Sequence, residues 1–463
     1  MPRYSVVVAW GDKEYGGLLN NRVKKVMYRG FIDVSDITEK ELLYTQVRSV
    51  YSTCCAFAAL LEDRSLLVWG SSDRGGSMPT STVDALKLAG GAMEIYSNNR
   101  AFVAVTSRQN TNKINDNDQI LTWGESSSGG SLPAGINNFF SDDSGINPTA
   151  FDWNMEITSV HHTGKGFVAV VQAHNMPEDY KFSGNSEIII FWGSDTHGGK
   201  LTQAVFDKYK IQNVKKWDDA NNVAVNDDAA SNFFAQKVRL TATQELPIQE
   251  LQDHSLHFYK KVRQITTTHS MIAVTLVDGT VFSFGGKPTI VASQEGIPHS
   301  FVSKTKATFM HTTGVRAVFG AEQSFSALLD DGSVVSWGRT DDFVNNECSL
   351  SCACDPDPYN IINIKCGRLK VDLSAQIGTS KVISLFSSRD TWSALSLVPT
   401  DSDKNNVAMF GQQNSIFTYS DGGGSNKFVL ERMEGDASAA KQISDGEGAK
   451  MLYATRNAFV ALL

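Results

Sequence analysis

Residues 57–76 read FAALLEDRSLLVWGSSDRGG, and this stretch decides the fold. Phe57-Ala58-Ala59-Leu60-Leu61 is short and apolar, the composition of a buried strand. Glu62-Asp63-Arg64-Ser65 is polar and turn-like, Leu66-Leu67-Val68-Trp69 is apolar again, and Gly70 stops it. Gly75-Gly76 then closes a loop. The unit is strand, tight turn, strand and glycine-closed loop. Two further copies carry an explicit turn, Asp278-Gly279 and Asp331-Gly332 between apolar runs. Asp-Gly is a strong hairpin signal because glycine takes the positive φ that such a turn needs.

Working outward, the second half of the hairpin ends in an aromatic residue and glycine at seven places. These are Trp10-Gly11, Trp69-Gly70, Trp123-Gly124, Trp192-Gly193, Phe284-Gly285, Trp337-Gly338 and Phe410-Gly411. In the first four copies a Gly-Gly pair follows: Gly16-Gly17, Gly75-Gly76, Gly129-Gly130 and Gly198-Gly199. The first half repeats as a small residue, a large apolar one and an alanine two further on. Its copies begin at Ala56, Ala101, Gly166, Ser270, Ser324, Thr391 and Ala458. Period-two spacing puts the large residue and the alanine on one strand face, and a fixed alanine there predicts close approach of another element. A short apolar run precedes each copy, as in Val47–Ser52 and Met93–Ser97. Three strands per repeat are therefore expected, with a fourth between the glycine loop and the next run.

The repeats run from end to end and override the two to four domains that 463 residues would otherwise suggest. The chain opens on the second half of a hairpin, Tyr4–Gly11, and closes on a first half, Ala458–Leu463. Paired, the two would leave no open sheet edge at that point. The expected fold is all-β: one domain over residues 1–463, a seven-bladed β-propeller closed by its N- and C-terminal strands. Aromatic-Gly spacings run from 53 to 92 residues, so the blades carry loop insertions. The largest spans residues 200–261 in the fourth repeat, with short helices expected at Ala204–Lys210 and Asn232–Val238. Another spans residues 339–381 in the sixth repeat and holds most of the cysteines.

A net charge of −8 and a pI near 5.6 argue against a nucleic-acid partner, which needs a basic footprint. No run of about eighteen apolar residues marks a membrane span. The start, MPRYSVVVAWG, lacks the layout of a signal peptide, so an intracellular chain, cytoplasmic or nuclear, is expected.

VVVAWGDKEYGG, LLVWGSSDRGG, ILTWGESSSGG, IIIFWGSDTHGG and DDGSVVSWG together resemble the regulator-of-chromosome-condensation repeat family of seven-bladed propellers. The resemblance covers nearly the whole chain. The family's Gly-Gln-Leu-Gly-like continuation after tryptophan is absent here, and the Gly-Gly pair fades in the last three copies. The family includes an exchange factor for a small Ras-like GTPase, parts of ubiquitin ligases, and proteins that inhibit or tether others. It implies contact with protein partners through blade loops, often inside a larger assembly.

Candidate chemistry is sparse. Cys348, Cys352, Cys354 and Cys366 supply four thiolates, which suit a tetrahedral zinc site, the one cofactor left open. Disulfides and free thiols are the other readings of the same residues. Cys54-Cys55 read as turn residues, because adjacent cysteines rarely bridge. His161-His162 lack a nameable third metal ligand, and His197 reads as an exposed loop residue. Asp12, Asp73, Glu125 and Asp195 read either as turn acids or as an acidic rim for a basic partner. The tryptophans read as packing residues. No serine elbow, HExxH or paired-carboxylate motif appears. The leading expectation is a non-catalytic scaffold or adaptor that binds proteins through its loops. The alternatives are a guanine-nucleotide exchange factor, or an enzyme or carbohydrate binder at the propeller mouth.

Overall fold

A computed structural model describes residues 9–18, 47–106, 119–133, 136, 154–174, 187–200, 217–218, 223–224, 235–236, 254–258, 261–277, 279, 281–285, 315–322, 324–338, 368–371, 379–388, 391–397, 406–411, 449–454 and 459–462. Tyr4–Val8, and with it the expected N-terminal closing strand, lies outside these. So do the four cysteines from Cys348 to Cys366 and the helix expected at Ala204–Lys210. The chain divides into two compact units, Met1–Lys260 and Lys261–Leu463.

The hairpin forms as its composition dictates. Ala56–Leu61 pairs antiparallel with Leu66–Gly70, placing Phe57 opposite Trp69 and Ala56 opposite Gly70. Asp63 Oδ1 fastens the turn, accepting from the Ser65 amide at 3.0 Å and its hydroxyl at 2.6 Å. Arg64 takes the left-handed position with φ 68°. The copy at Asp331-Gly332-Ser333 makes the same bonds with glycine in that position, φ 84°.

In Met1–Lys260 this hairpin gains a third strand and becomes the first sheet: Val47–Ser52, Ala56–Leu61 and Leu66–Gly70. The second sheet is Glu94–Ser97, Ala101–Thr106 and Gln119–Gly124. The third is Asn154–His162, Gly166–His174 and Glu187–Gly193, extended by Ser255–Phe258 and then Ala235–Gln236. The sheets pack face on face. Ala56, Ala58 and Leu60 of the first meet Phe102, Ala104 and Trp123 of the second. Ala101, Val103 and Val105 of the second meet Phe167, Ala169 and Trp192 of the third. The alanine after each phenylalanine therefore sits where the preceding sheet comes closest, which is the close approach that its spacing predicts.

The Gly-Gly loops lock these layers. After each Trp-Gly a single 3₁₀ turn runs into the first glycine, as in Ser72–Arg74 before Gly75. Trp69 Nε1 donates to Gly16 O at 3.1 Å, Trp123 to Gly75 O at 3.0 Å and Trp192 to Gly129 O at 3.1 Å. The loop of one repeat thus grips the tryptophan of the next. The same tryptophan stacks on its cross-strand phenylalanine, with centroids 5.2–5.5 Å apart. Gly75 has φ +100°, and a Cβ there would meet Phe102 Cδ2 at 2.5 Å. Glycine is needed both for the left-handed backbone and for the absence of a side chain. A second clasp ties each loop to its own hairpin. Thr53 Oγ1, Asn98 Nδ2 and Thr163 Oγ1 donate to the carbonyls of Arg74, Ser128 and His197, at 3.1, 2.7 and 2.8 Å.

Lys261–Leu463 repeats the architecture. Its sheets are Val262–Thr267, Met271–Leu276 and Val281–Gly285; Val315–Gly320, Ser324–Leu329, Val334–Gly338 and Arg368–Val371; Val382–Ser387, Thr391–Ser396 and Val407–Gly411; and the pair Met451–Ala454 and Phe459–Leu462. Side chains bridge successive sheets here. The Gln264 amide group donates to Val318 O at 2.8 Å and accepts from Val318 N at 3.2 Å, as a backbone partner would. Ser387 Oγ donates to Gly320 O at 2.7 Å.

A fourth strand lies in the expected interval in two sheets: that of the third comes from the 200–261 insertion, and that of the sheet beginning at Val315 from the 339–381 insertion. Other expectations change. Ala235–Gln236, inside the expected helix Asn232–Val238, is a strand that pairs with His257 and Phe258. A helix forms at Thr80–Leu88. The small-large-x-Ala alignment also slips in one copy. Met271, not Ser270, lies opposite Gly285, so Ile272 faces Phe284 and Val274 takes the place where the other hairpins have alanine. Met271 and Ala273 instead face the next sheet.

Candidate functional site

A β-bulge recurs where the first strand of a sheet meets the second. The register skips one residue at Arg48, Thr158, Arg263, Arg316 and Ile383. A bulged residue has no cross-strand partner, and its side chain is re-aimed. Thr158 Oγ1 turns back to Val170 O at 3.1 Å, and Arg263 donates to the Val315 carbonyl. Arg48 makes no ion pair or hydrogen bond among the described residues and lines a cavity of about 390 Å³.

The first strands of three successive sheets build this cavity. Its polar wall is Arg48 and Tyr51 from the first sheet, Glu94, Tyr96 and Ser97 from the second, and His162 from the third. Its apolar wall is Leu60, Met93 and Ile95. Tyr51 Oη accepts from Ser49 Oγ at 3.1 Å, which fixes the ring. The Tyr96 hydroxyl donates to Glu94 Oε2 and accepts from the Val160 amide of the third sheet. Burial, then the hydrogen bond and negative charge of Glu94, push the Tyr96 phenol well above its ordinary range, so it stays protonated and donating. His162 Nδ1 bonds to Thr163 O at 3.3 Å, the hydrogen lying on that nitrogen because a carbonyl only accepts. Partial desolvation of the ring, which disfavours its charged form, lowers the His162 pKa, and the Thr163 bond only partly opposes this. His161 is lowered by burial and then by His162. Neutral His162 therefore offers Nε2 as an acceptor to the cavity.

The other candidates fall elsewhere. His197 is 7% exposed, not an open loop residue. The Thr163 clasp draws its backbone inward, and its Nδ1 lies 2.9 Å from Thr196 Oγ1. Cys54 and Cys55 are joined as a vicinal disulfide, against the expectation of plain turn residues. Backbone bonds hold that turn at both ends: Cys54 N donates to Asn99 O, and Cys55 O accepts from Ser71 N. The acidic rim is mostly consumed locally. Asp12 caps the Glu14 amide at 2.8 Å. The Ser71 hydroxyl holds Asp73 below its ordinary range. Burial would raise Glu125, but Arg100 Nη1 at 2.9 Å and Ser128 Oγ at 3.0 Å outweigh it and keep it a carboxylate. Asp195 opens its 3₁₀ turn. No cluster of three or more metal-ligating side chains occurs among the described residues. No helix among them is long and apolar enough to cross a membrane.

No protein-family model and no curated protein sequence matches the chain. Solved structures give distant likenesses. Prp20p of Saccharomyces cerevisiae is 12% identical over 79% of this chain and 72% of its own, with a TM-score of 0.34. Human WBSCR16 is 14% identical over 66% and 65%, with a TM-score of 0.28. The ectodomain of the Arabidopsis thaliana receptor kinase ACR4 is 12% identical over 80% and 81%, with a TM-score of 0.30. Likenesses this distant carry no inference about this chain.

The sequence singled out the histidine pair but not the cavity. Tyr51, Glu94 and Tyr96 belong to no motif, and Arg48 shares only the Val-Arg pair that recurs at Val262-Arg263 and Val315-Arg316. The one signal for them was their place in the short run ahead of each hairpin, which is visible only once the repeats are aligned.

Proposed function

We propose that the chain is a non-catalytic protein-interaction scaffold, with its partners held by the insertions. One observation carries this. The phenylalanines, tryptophans and glycines that recur in the first three sheets are spent on stacking, latching and turning, so specificity is left to what varies between repeats. A single propeller over residues 1–463, of seven blades closed by Tyr4–Gly11 against the last hairpin, belongs to the same reading, as does its likeness to the regulator-of-chromosome-condensation repeats. The last hairpin supports closure: Tyr453 is 58% and Val460 63% exposed on a two-stranded sheet that needs a covering neighbour. Zinc at Cys348, Cys352, Cys354 and Cys366 is part of the same proposal, supported by the clustering of four thiol side chains in one insertion of the sequence.

Cross-linking mass spectrometry on the complex purified at native abundance tests the reading. Cross-links concentrated in residues 200–261 and 339–381 are expected. Cross-links confined to the hairpins would overturn it, and so would stimulated nucleotide release from a panel of small GTPases. Removal of residues 1–8 lowers the melting temperature if the ring closes, and an unchanged transition refutes closure.

A further inference from the structure

We infer that the cavity between Arg48 and His162 is a binding site for an amino-acid-like zwitterion, a small molecule carrying both a carboxylate and an amine on an apolar body. This goes beyond the scaffold reading and does not depend on it.

The walls carry opposite charges with different engagements. Arg48 is a cation with no partner among the described residues, on a bulge that leaves it out of the ladder pairing and in the cavity lining. Its planar guanidinium suits a carboxylate. Glu94 is the facing anion, and one of its oxygens is already held by Tyr96. That bond fixes the carboxylate and leaves its second oxygen to take an ammonium. A purely anionic ligand would gain Arg48 and be repelled by Glu94. A purely cationic one would meet the reverse. A zwitterion satisfies both. Tyr51 adds a π face that favours a cation, and neutral His162 Nε2 accepts a further N–H. Leu60, Met93 and Ile95 take the apolar body. The volume of about 390 Å³ lies in the range of small-ligand pockets, roughly 300–1,000 Å³.

Isothermal titration of the full chain with L-leucine, N-acetyl-L-leucine, L-leucinamide and glucose tests this. L-Leucine is expected to bind, while blocking either its amine or its carboxylate weakens binding about tenfold or more, the worth of one charged hydrogen bond. Arg48→Gln is expected to weaken L-leucine by a similar factor and to abolish the preference over the amide. Glu94→Gln should abolish the preference over the N-acetyl form while keeping an acceptor for Tyr96. Arg48 is exposed, so a far-ultraviolet spectrum and urea midpoint equal to the parent's show that its variant is folded. No heat with L-leucine at millimolar concentration overturns the inference. So do equal affinities for the free and blocked forms, or glucose bound as tightly as L-leucine.

Discussion

Replacing Gly75 with alanine tests the interlayer latch most directly. Gly75 holds φ +100°, and a Cβ there would lie 2.5 Å from Phe102 Cδ2 and 2.6 Å from Cε2. Phe102 is fully buried between two sheets and cannot swing clear. Left-handed backbone costs a residue with a Cβ about 1–2 kcal/mol. Forcing a methyl into a packed core adds about 1–3 kcal/mol. Gly90 separates the two contributions: its φ is +74°, but a Cβ there meets nothing within 4 Å. Gly90→Ala should thus cost only the backbone part, leaving a difference of about 1–3 kcal/mol at Gly75. Urea unfolding followed by tryptophan fluorescence measures both, provided that the slope with denaturant is unchanged. Phe102→Leu makes room for the methyl, so in that background Gly75→Ala should fall to the Gly90 value. Equal costs at Gly75 and Gly90, or no coupling between Gly75 and Phe102, would refute the latch.

Other consequences are as direct. Arg64→Gly should raise the urea midpoint by about 1 kcal/mol of stability, because it relieves a left-handed arginine in a turn that glycine serves at Gly332. Asn98→Ala should destabilise by about 3 kcal/mol, because its buried side chain accepts from the Arg100 and Ala101 amides and donates to Ser128 O, all left unsatisfied. His161 and His162 both bind protons less readily folded than unfolded. Their contribution is full above the ordinary value of 6.5 and is lost as pH falls through the lower folded values. The urea midpoint should therefore drop between pH 7 and pH 5, and His161→Gln/His162→Gln should flatten that drop.

The hairpins were legible because their signals are local. An apolar run, a polar turn, a second run and a glycine occupy about fifteen residues, and strand pairing needs little else. The latch was not, because the glycine and the tryptophan that reads it come from different repeats, 48 residues apart for Gly75 and Trp123. The spacing of the Gly-Gly pair was visible while its partner was not. His197 misled for a related reason: a polar residue in a loop reads as exposed until Thr163, 34 residues earlier, pulls that loop inward. In the hairpin at Met271 an alanine two residues on matched the pattern by coincidence, and only the pairing of Ile272 with Phe284 corrects it. The fourth strands were expected but could not be placed, because Ser255–Phe258 and Arg368–Val371 are four residues each, too short for periodicity to register against long polar insertions.

The bulge explains why a site can arise in a fold whose repeated residues are all committed. Pairing fixes what stands opposite the second strand, so Val47 and Ser49 are constrained by Leu61 and Leu60, while Arg48 between them is not. The same place holds Thr158, Arg263, Arg316 and Ile383: arginine recurs at three of the five bulges, and threonine and isoleucine also serve there. The fold therefore asks nothing particular of that side chain. Thr158 and Arg263 return theirs to nearby backbone carbonyls. Arg48 finds no such partner among the described residues, and its bulge stands beside a pocket that also holds a carboxylate pinned by a half-buried tyrosine. A charge that packing does not require thus stands where packing leaves a cavity, which is what the proposed zwitterion site uses.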